Sequence, residues 1–366
     1  MEGRSQGADP RDPAEEGVAF RPAEATIAQD WGRLAHYLRD HGLELDLSRP
    51  PRQFAGGYAC YNYRIELASG PAVLRRPPAG PLPRGAYDIG REFRVLSALH
   101  PLFPLAPRAL HCCLDAAVLG APFLIMEYRP GLSIREEMPA WCRRAAVGAH
   151  LSRRLVEVLA ALHRVDPGRA GLAELGRPEG FLLRTLEGWA RRLAAVFDGD
   201  PPPPAADLLT WLRQRVPGES GTALIHNDFK LDNLLLDPET LEPRTLVDWD
   251  MATRGDPLFD LAVLTSYWTE PGDHPAMAML GQMPSHEPGF LRRTEVVALY
   301  GRETGRDVSD FAFYRVLALY RLAGIFAQLH RLWRHGSLTG ARYASFDRLA
   351  AGLLDFAWEV ARGRMF

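Results

Sequence analysis

Apolar and polar positions follow two different periods along the chain. Residues 52–76 show the period of two that is typical of β-strands, with an aromatic-rich run at 58–67 and a turn at 68–71. This pattern predicts three antiparallel strands. A further apolar run at 122–128 predicts a buried strand, which ends at Arg129-Pro130-Gly131.

Helical spacing of apolar residues dominates most of the rest. Asp88 is placed to cap a helix whose apolar residues begin at Ile89, and another apolar stripe ends near His163. A helix is also expected around 180–197, and residues 257–366 are predicted to be almost wholly helical. Short strands are expected at 223–226, 234–236 and 245–248, and the proline run 201–204 is interpreted as a surface spacer.

These patterns predict an α+β fold of two lobes, a small N-terminal lobe with an antiparallel sheet and a larger, mostly helical C-terminal lobe. The length of 366 residues exceeds that of one typical domain and supports this division. The expected organisation is a disordered lead over 1–22, the first lobe over 23–127, a linker over 128–133 and the second lobe over 134–366.

Composition and charge argue against several classes of protein. The chain has 43 basic and 45 acidic residues, so its net charge of -2 gives no reason to expect a nucleic-acid partner. No run of about 18 apolar residues predicts a membrane span, and the polar start does not resemble a signal peptide. Four cysteines without metal-ligand spacing fit a reduced, cytoplasmic protein.

Polar residues with chemical potential concentrate in one segment, Leu-Ile-His-Asn-Asp-Phe-Lys-Leu-Asp-Asn-Leu-Leu-Leu at 224–236, followed by Leu-Val-Asp-Trp-Asp at 246–250. Apolar strands on either side can aim such polar groups at one point. Phosphoryl transfer from ATP needs a carboxylate to orient the attacking hydroxyl, oxygen ligands for magnesium and a nearby cation. The residues that supply this set are Asp228, Lys230, Asn233 and Asp248.

Lys230 is the only lysine in the chain, and all other basic residues are arginines. Exposed positions tolerate either residue, so the composition indicates a drift towards arginine. A position that needs a compact ammonium group would resist this drift. The location of Lys230 inside the polar loop therefore supports a chemical role.

Two other interpretations account for parts of this loop. In an ordinary hairpin, Asp and Asn would serve only as turn formers, which suits 237–240 but leaves the polar loop unexplained. A metal hydrolase could use His226 and Asp228 as ligands, although no further His or Cys cluster accompanies them. His226 is interpreted as a structural hydrogen-bonding residue.

The loop resembles the catalytic loop of the protein-kinase-like superfamily, and more closely that of the aminoglycoside and choline phosphotransferase family of small-molecule kinases. The resemblance rests on the spacing of His226, Asp228 and Asn233, with Asp248 following Asn233 after fifteen residues. It implies that Asp228 is the catalytic base and that Asn233 and Asp248 bind Mg²⁺. It also implies that Lys230 lies beside the transferred phosphate and that ATP binds between the lobes.

The resemblance extends to the N-terminal lobe. Gly56-Gly57 stands where the family has a turn that covers the nucleotide, and Arg75 replaces the usual third-strand lysine. Arg75 keeps the charge, but its planar head needs a different pocket. Glu92 on the following helix is expected to pair with Arg75, and Glu127 and Tyr128 occupy the connection where kinases bind adenine through backbone groups.

These N-terminal positions also have purely structural interpretations. The glycine pair could be only a hairpin turn, Arg75 could lie at a solvated strand end, and Glu92 could pair with an arginine of its own helix. Farther along, Asp256 is interpreted as a helix cap and Asp260 as a brace for the catalytic loop.

The acceptor is expected to bind in the helical tail. Residues 270–366 contain 12 arginines and 10 acidic residues, whereas a polycationic aminoglycoside would need a concentrated acidic rim. A neutral or anionic acceptor is therefore expected. The segments 73–78 and 248–268 resemble the branch associated with acyl-CoA dehydrogenases, whose members phosphorylate hydroxyacyl-CoA thioesters.

The sequence thus predicts a cytoplasmic phosphotransferase that uses ATP and Mg²⁺ to phosphorylate a hydroxyl group of a small molecule, with no nucleic-acid or membrane partner. An acyl-CoA is the acceptor that the resemblance favours. Two alternatives stay open. The acceptor could be an aminoglycoside or macrolide antibiotic, or the protein could be a pseudokinase that binds nucleotide without turnover, since Arg75 replaces the usual lysine.

Overall fold

Two units share the chain in the computed structural model, which describes residues 18–55, 60–78, 88–197, 199, 201–338 and 340–366. The first unit comprises Met1–Ser133 and Leu234–Asp250, and the second comprises Ile134–Asn233 and Met251–Phe366. The chain therefore passes between the units three times, where the sequence suggests a single passage.

The described residues form nine strands and eleven α-helices. The strands are β1 (Arg52–Gln53), β2 (Tyr61–Leu67), β3 (Gly70–Arg76), β4 (Ala109–Cys113), β5 (Phe123–Glu127), β6 (Ala223–Ile225), β7 (Leu234–Leu236), β8 (Pro243–Leu246) and β9 (Thr253–Gly255). The helices are α1 (Trp31–Asp40), α2 (Ile89–Leu99), α3 (Ala116–Leu119), α4 (Ala145–His163), α5 (Phe181–Val196), α6 (Pro203–Arg213), α7 (Pro257–Tyr267), α8 (Pro275–Leu280), α9 (Arg293–Thr304), α10 (Phe311–Arg334) and α11 (Phe346–Ala361).

A five-stranded antiparallel sheet in the order β1-β2-β3-β5-β4 forms the first unit's centre. The prediction of three antiparallel strands within 52–76 is confirmed, and β3 lies between β2 and β5. Helix α1, which the sequence analysis missed, buries Leu34 and Leu38 in the core against residues of the sheet such as Tyr63 and Phe123. The core therefore fixes the strand that carries Arg75.

Helix α2 begins where its sequence predicts. The Asp88 side chain accepts a hydrogen bond from the backbone N–H of Arg91, which satisfies one of the unpaired donors of the first turn. Its buried residues include Ile89 and Leu96, and Glu92 is buried with them. The helix thus carries a carboxylate into the interior of the first unit.

Part of the predicted disordered lead, 1–22, pairs with the first strand. Phe20 forms an antiparallel bridge with Phe54, and the backbone N–H of Arg21 donates to the carbonyl oxygen of Gln53 at 2.8 Å. Residues 1–17 lie outside the described residues.

The segment 234–250 joins the first unit through backbone hydrogen bonds. β7 and β8 pair antiparallel, Leu236 bridges Leu132, and the N–H of Leu246 donates to the carbonyl oxygen of Leu105. The strand predicted at 245–248 is observed two residues earlier, because Asp248 has a φ of 70° and cannot continue it.

The second unit is mainly helical. Its longest helix, α10, packs against α5, α7 and α11, and β6 pairs with β9 in a two-stranded sheet. The interpretation of residues 201–204 as a spacer was wrong from residue 203 onward, because α6 begins at Pro203. Proline suits the first position of a helix, where its missing N–H would have no intrahelical partner.

The helices of the second unit include no membrane-spanning candidate. Across the described chain, no helix combines the length and the apolar character that crossing a bilayer requires.

Candidate active site

The polar loop at 226–233 follows β6 in the second unit, and Asp260 fixes its start. The fully buried carboxylate of Asp260 accepts hydrogen bonds from the backbone N–H groups of His226 and Asn227, both at 2.7 Å. The same carboxylate lies 3.2 Å from Nε2 of His163. These contacts confirm that Asp260 braces the loop.

Asn227 holds a backbone conformation that few residues other than glycine adopt. Its φ is 64°, and its carbonyl oxygen accepts a hydrogen bond from Nη2 of the buried Arg321 at 2.8 Å. Strain of this kind persists only when its surroundings hold it in place, and it is common at functional sites. The backbone immediately before Asp228 is therefore fixed from both sides.

Both carboxylate oxygens of Asp228 have defined partners. Tyr267 donates its hydroxyl to Oδ1 at 3.0 Å, and Nδ2 of Asn233 lies 3.2 Å from Oδ2. Nδ2 of Asn233 also donates to the backbone carbonyl of Asp228 at 2.8 Å. The Asp228 side chain is 19% exposed, so it is oriented and still accessible.

Lys230 is largely buried beside this carboxylate. Its ammonium nitrogen lies 3.8 Å from Asp228 and 3.5 Å from Asp232, and it donates to Oε1 of Gln282 at 3.2 Å. It also lies 5.1 Å from the centre of the Tyr267 ring. The loop thus presents a cation and a carboxylate side by side.

A second group of predicted site residues assembles within the first unit around Arg75. The guanidinium Nη2 is 2.5 Å from Oδ1 of Asp248, and Nε is 3.0 Å from Oε2 of Glu92. Asp250 lies 3.8 Å from Nη2. The predicted pairing of Arg75 with Glu92 is confirmed, and the alternative of a solvated strand end is wrong because Arg75 is buried.

The charges of this second group perturb one another. Burial by itself lowers the pKa of Arg75, but the carboxylates of Asp248 and Glu92 outweigh it and hold the pKa well above its usual value. Burial also raises the pKa of Glu92, although Arg75 opposes the shift. Three carboxylates around one guanidinium leave an excess of negative charge, which is suited to a further cation.

The side chains of Asn233 and Asp248, the proposed metal ligands, offer oxygen donors of the kind that Mg²⁺ prefers. The amide nitrogen of Asn233 points to Asp228, which orients its amide oxygen, and the Asp248 side chain is 36% exposed. Among the described residues, no three His, Cys, Asp or Glu side chains form a group that could hold a metal. Mg²⁺ commonly takes only one or two protein carboxylates together with substrate phosphates, so a single carboxylate such as that of Asp248 suits this ion.

The structure describes only two of the other residues that were predicted to bind the nucleotide. Gly56 and Gly57 lie outside the described residues. Glu127 is the last residue of β5, and its backbone N–H already donates to the carbonyl oxygen of Arg108 at 2.8 Å. Tyr128 follows it, with its ring 5.3 Å from the guanidinium carbon of Arg64.

Sequence reasoning missed three acidic or hydroxyl side chains of these groups, which are Tyr267, Asp232 and Asp250. Tyr267 had a usable signal, because it lies seven residues after Asp260 on α7 and so on the same face as the residue that braces the loop. Asp232, which also lies 3.4 Å from Nε of Arg135, had no such signal because turn-forming aspartates are common in loops.

An oriented aspartate beside a lysine in one group, and a buried arginine paired with two carboxylates in the other, are the features of a phosphotransferase with a kinase-like site. The chain belongs to the phosphotransferase enzyme family, whose pattern matches residues 51–295. The family predicted from the loop motif is thereby confirmed.

Several proteins with similar sequences are named as acyl-CoA dehydrogenase family members. The chain is 29% identical over 348 residues to acyl-CoA dehydrogenase family member 10 of Mus musculus, covering 93% of this chain and 32% of that protein. It is 32% identical over 312 residues to family member 11 of Rattus norvegicus, covering 84% of this chain and 38% of that protein. The chain thus spans about a third of the length of these relatives, whose names agree with the predicted branch.

Solved structures share the fold. A protein from Ralstonia eutropha JMP134 assigned as an aminoglycoside phosphotransferase aligns with a TM-score of 0.73 at 25% identity, over 92% of this chain and 99% of its own. A thermostable mutant of aminoglycoside phosphotransferase APH(4)-Ia, in a ternary complex with ADP and hygromycin B, aligns with a TM-score of 0.54 at 15% identity, over 90% and 98%. The predicted α+β kinase-like fold is confirmed.

Proposed function

We propose that the protein transfers the γ-phosphoryl group of ATP to a hydroxyl group of a small molecule. The geometry of Asp228 carries this proposal, because Tyr267 and Asn233 orient an accessible carboxylate that stands beside the Lys230 ammonium group. A phosphotransferase needs such a group to orient the attacking hydroxyl and accept its proton. ATP as the donor is supported by the ADP complex of APH(4)-Ia, a protein of similar fold.

Each residue in the two groups receives a role in this proposal. Asp228 is the base that orients the acceptor hydroxyl, and Lys230 places its positive charge beside the transferred phosphoryl group. Asn233 and Asp248 are the ligands of Mg²⁺, which neutralises phosphate charge when it is bound. Arg75, held by Glu92, contacts the nucleotide phosphates in place of the usual lysine.

The remaining nucleotide contacts are proposed from the family resemblance. Gly56 and Gly57 cover the phosphates, and Glu127 and Tyr128 lie at the adenine. The backbone N–H of Glu127 already donates a hydrogen bond to the carbonyl oxygen of Arg108. Glu127 would therefore contact adenine through its backbone carbonyl oxygen.

A hydroxyacyl-CoA thioester is the proposed acceptor class. It is supported by relatives named as acyl-CoA dehydrogenase family members, and by the excess of arginine over acidic residues in the helical tail. The same charge balance disfavours a polycationic aminoglycoside.

The test is a screen for acceptor-dependent ADP release in the presence of MgATP. The acceptors are hydroxyacyl-CoA thioesters, sugars, amino alcohols, aminoglycosides and macrolides, and mass spectrometry identifies the phosphorylated product. We expect a hydroxyacyl-CoA thioester to be phosphorylated, whereas phosphorylation of an antibiotic alone would contradict the proposed acceptor.

A pair of aspartate variants tests the assigned base. Asp228→Ala is expected to fold normally and to lose at least about 100-fold in turnover, the scale of general-base removal. Asp355→Ala, an exposed aspartate on α11, is the matched control and should retain full activity. Unchanged activity in Asp228→Ala would contradict the assignment of Asp228 as the base. Nucleotide binding without release of ADP from ATP in the presence of any acceptor would favour the pseudokinase alternative.

A further inference from the structure

The second unit contains a cavity of about 320 Å³. The segment of the chain that lines it runs between the end of α7 and the start of α9. Its lining comes from ten residues between Thr269 and His286, which do not include Met279 or Gln282. This volume lies at the lower end of the range for ligand pockets, about 300–1,000 Å³. The cavity is therefore large enough for part of a small molecule.

Two contacts connect the cavity wall to the catalytic loop. Gln282, which stands between the lining residues Gly281 and Met283, accepts a hydrogen bond from Lys230 at 3.2 Å. Tyr267, which donates to Asp228, precedes the lining residue Thr269 by two positions. The chain segments that carry the lining therefore also contact the proposed base and the loop lysine.

The two carboxylates of the lining, Asp273 and Glu270, share one arginine partner. Asp273 binds Arg293 through both oxygens, at 2.7 Å to Nη1 and 2.5 Å to Nη2. Glu270 accepts a hydrogen bond from the backbone N–H of Arg293 and lies 3.5 Å from its Nε. Because Arg293 is itself buried, its charge is held against these carboxylates, but one guanidinium group balances only one of the two.

A second buried guanidinium strengthens this balance. Arg315 on α10 is fully buried, donates to the carbonyl oxygen of Thr265 at 2.7 Å and lies 5.3 Å from the Phe356 ring. Burial, and then the charge of Arg293, lower the pKa of Arg315 well below its usual value, while Asp273 and Glu270 oppose that shift. Arginine stays protonated in proteins, so the two guanidinium groups balance the two carboxylates, and these four side chains offer no excess negative charge to a polycation.

The other walls are mostly apolar. Met277 and Met283 are almost completely buried and line the cavity together with Ala278. Methionine side chains are flexible and polarizable, so they adapt to apolar groups of different shape. These walls suit an alkyl or acyl chain better than a sugar.

We propose that this cavity binds the apolar portion of an acceptor without net positive charge, and that this binding brings the acceptor hydroxyl to Asp228. The inference rests on the proposed phosphotransfer and adds to it the recognition of a hydrocarbon chain. Gln282, which lies in the chain between two lining residues, then serves as a positioning residue for Lys230.

Two neighbouring positions on α8 allow a matched test. Ala278 lines the cavity, whereas Met279 is 47% exposed and is not part of the lining. Ala278→Trp should fill the cavity, and Met279→Trp adds an indole ring one residue away. Isothermal titration calorimetry on the full chain with hydroxyoctanoyl-pantetheine, a neutral thioester, and with kanamycin, a polycation, compares the two variants with the unmodified protein.

We expect the unmodified protein and Met279→Trp to bind the thioester equally, and Ala278→Trp to bind it at least about tenfold more weakly, the scale of an overpacked site. Kanamycin should bind none of the three. Equal thioester binding by all three proteins, no binding by the unmodified protein, or kanamycin binding that Ala278→Trp abolishes would each overturn the inference.

Turnover separates this inference from the proposed function. If an acceptor is phosphorylated equally well by Ala278→Trp and by the unmodified protein, the phosphotransfer stands and the cavity assignment is wrong. If the thioester binds in the cavity but no acceptor gives ADP release, the binding site stands and the proposed function is wrong.

Discussion

Arg75 and Asp248 form a close ion pair, with Nη2 of Arg75 2.5 Å from Oδ1 of Asp248. The same guanidinium contacts Glu92 on α2 through Nε, so one buried cation on β3 serves carboxylates from two other segments. The pair connects the strand that carries the arginine to the residue proposed to hold Mg²⁺. If Asp248 also holds Mg²⁺ as proposed, Arg75 and the ion would share this carboxylate.

Removing this guanidinium should destabilise the protein. Arg75→Met leaves Glu92, which is 1% exposed, without its partner, and we expect a loss of about 3–5 kcal/mol in the free energy of unfolding. The loss in the free energy of unfolding is measured by urea unfolding, with circular dichroism as the signal. The double variant Arg75→Met/Glu92→Gln removes the buried charge as well and should recover part of the loss; no recovery would contradict a role for the charge.

The hydroxyl of Tyr267 should matter for turnover. A hydrogen bond to a charged group is worth about 1.5–3 kcal/mol, so Tyr267→Phe is expected to lower kcat by at least about tenfold while the KM for ATP stays unchanged. Steady-state kinetics with the acceptor found in the screen gives both values. An unchanged kcat would show that the orientation of Asp228 does not depend on this hydroxyl.

The stability difference between the unmodified protein and Tyr267→Phe should depend on pH. Burial, and then the neighbouring Asp228, raise the pKa of Tyr267 well above its usual value of 10. Below about pH 10 the hydroxyl is protonated in both the folded and the unfolded chain, so its contribution is complete. Above that pH the unfolded chain releases the proton first, and the advantage over Tyr267→Phe should shrink. Unfolding experiments between pH 8 and pH 11 that show a constant difference would contradict this.

Loss of the brace at the start of the loop should reduce both stability and activity. Asp260→Asn keeps the shape but turns an amide group towards two backbone N–H donors, and we expect a cost of at least about 2 kcal/mol. Thermal unfolding and the ADP-release assay measure the two effects. Asp355→Asn on the surface of α11 is the control, and equal behaviour of the two variants would exclude a bracing role.

Two glycines in helices should respond to alanine in opposite directions. A Cβ at Gly148 on α4 would lie 2.7 Å from the backbone nitrogen of Phe290, so Gly148→Ala should cost about 1–3 kcal/mol through overpacking. A Cβ at Gly188 on α5 meets nothing within 4 Å, and Gly188→Ala should stabilise by about 0.5–1 kcal/mol through helix propensity. Chemical denaturation of both variants tests the packing of the second unit.

Local sequence signals identified the elements that depend on neighbouring residues. The strands at 52–76 and the cap at Asp88 follow from residue type and period, and the structure contains both. Helix α6 was not predicted from the sequence, because its proline run can be either a spacer or the start of a helix. Only the packing of the buried Leu208 and Leu212 decides between the two.

Site residues were harder to identify where long-range contacts define them. Tyr267 and Gln282 reach the loop from residues 39 and 52 positions away along the chain, and no local pattern encodes such distances. Arg75 and Glu92 were recognised because the family resemblance supplied the long-range pairing. Sequence reasoning therefore found the chemistry of the loop but not the residues that hold it.

The solitary lysine has a practical consequence for labelling chemistry. Among the side chains, only Lys230 offers a primary amine to acylating reagents, and it is 8% exposed. Because the Lys230 side chain is only 10% exposed, an amine-directed reagent should react with it faster in any state in which the loop opens. The rate of acylation at this position would then report the opening of the loop, one event per molecule, without any introduced probe.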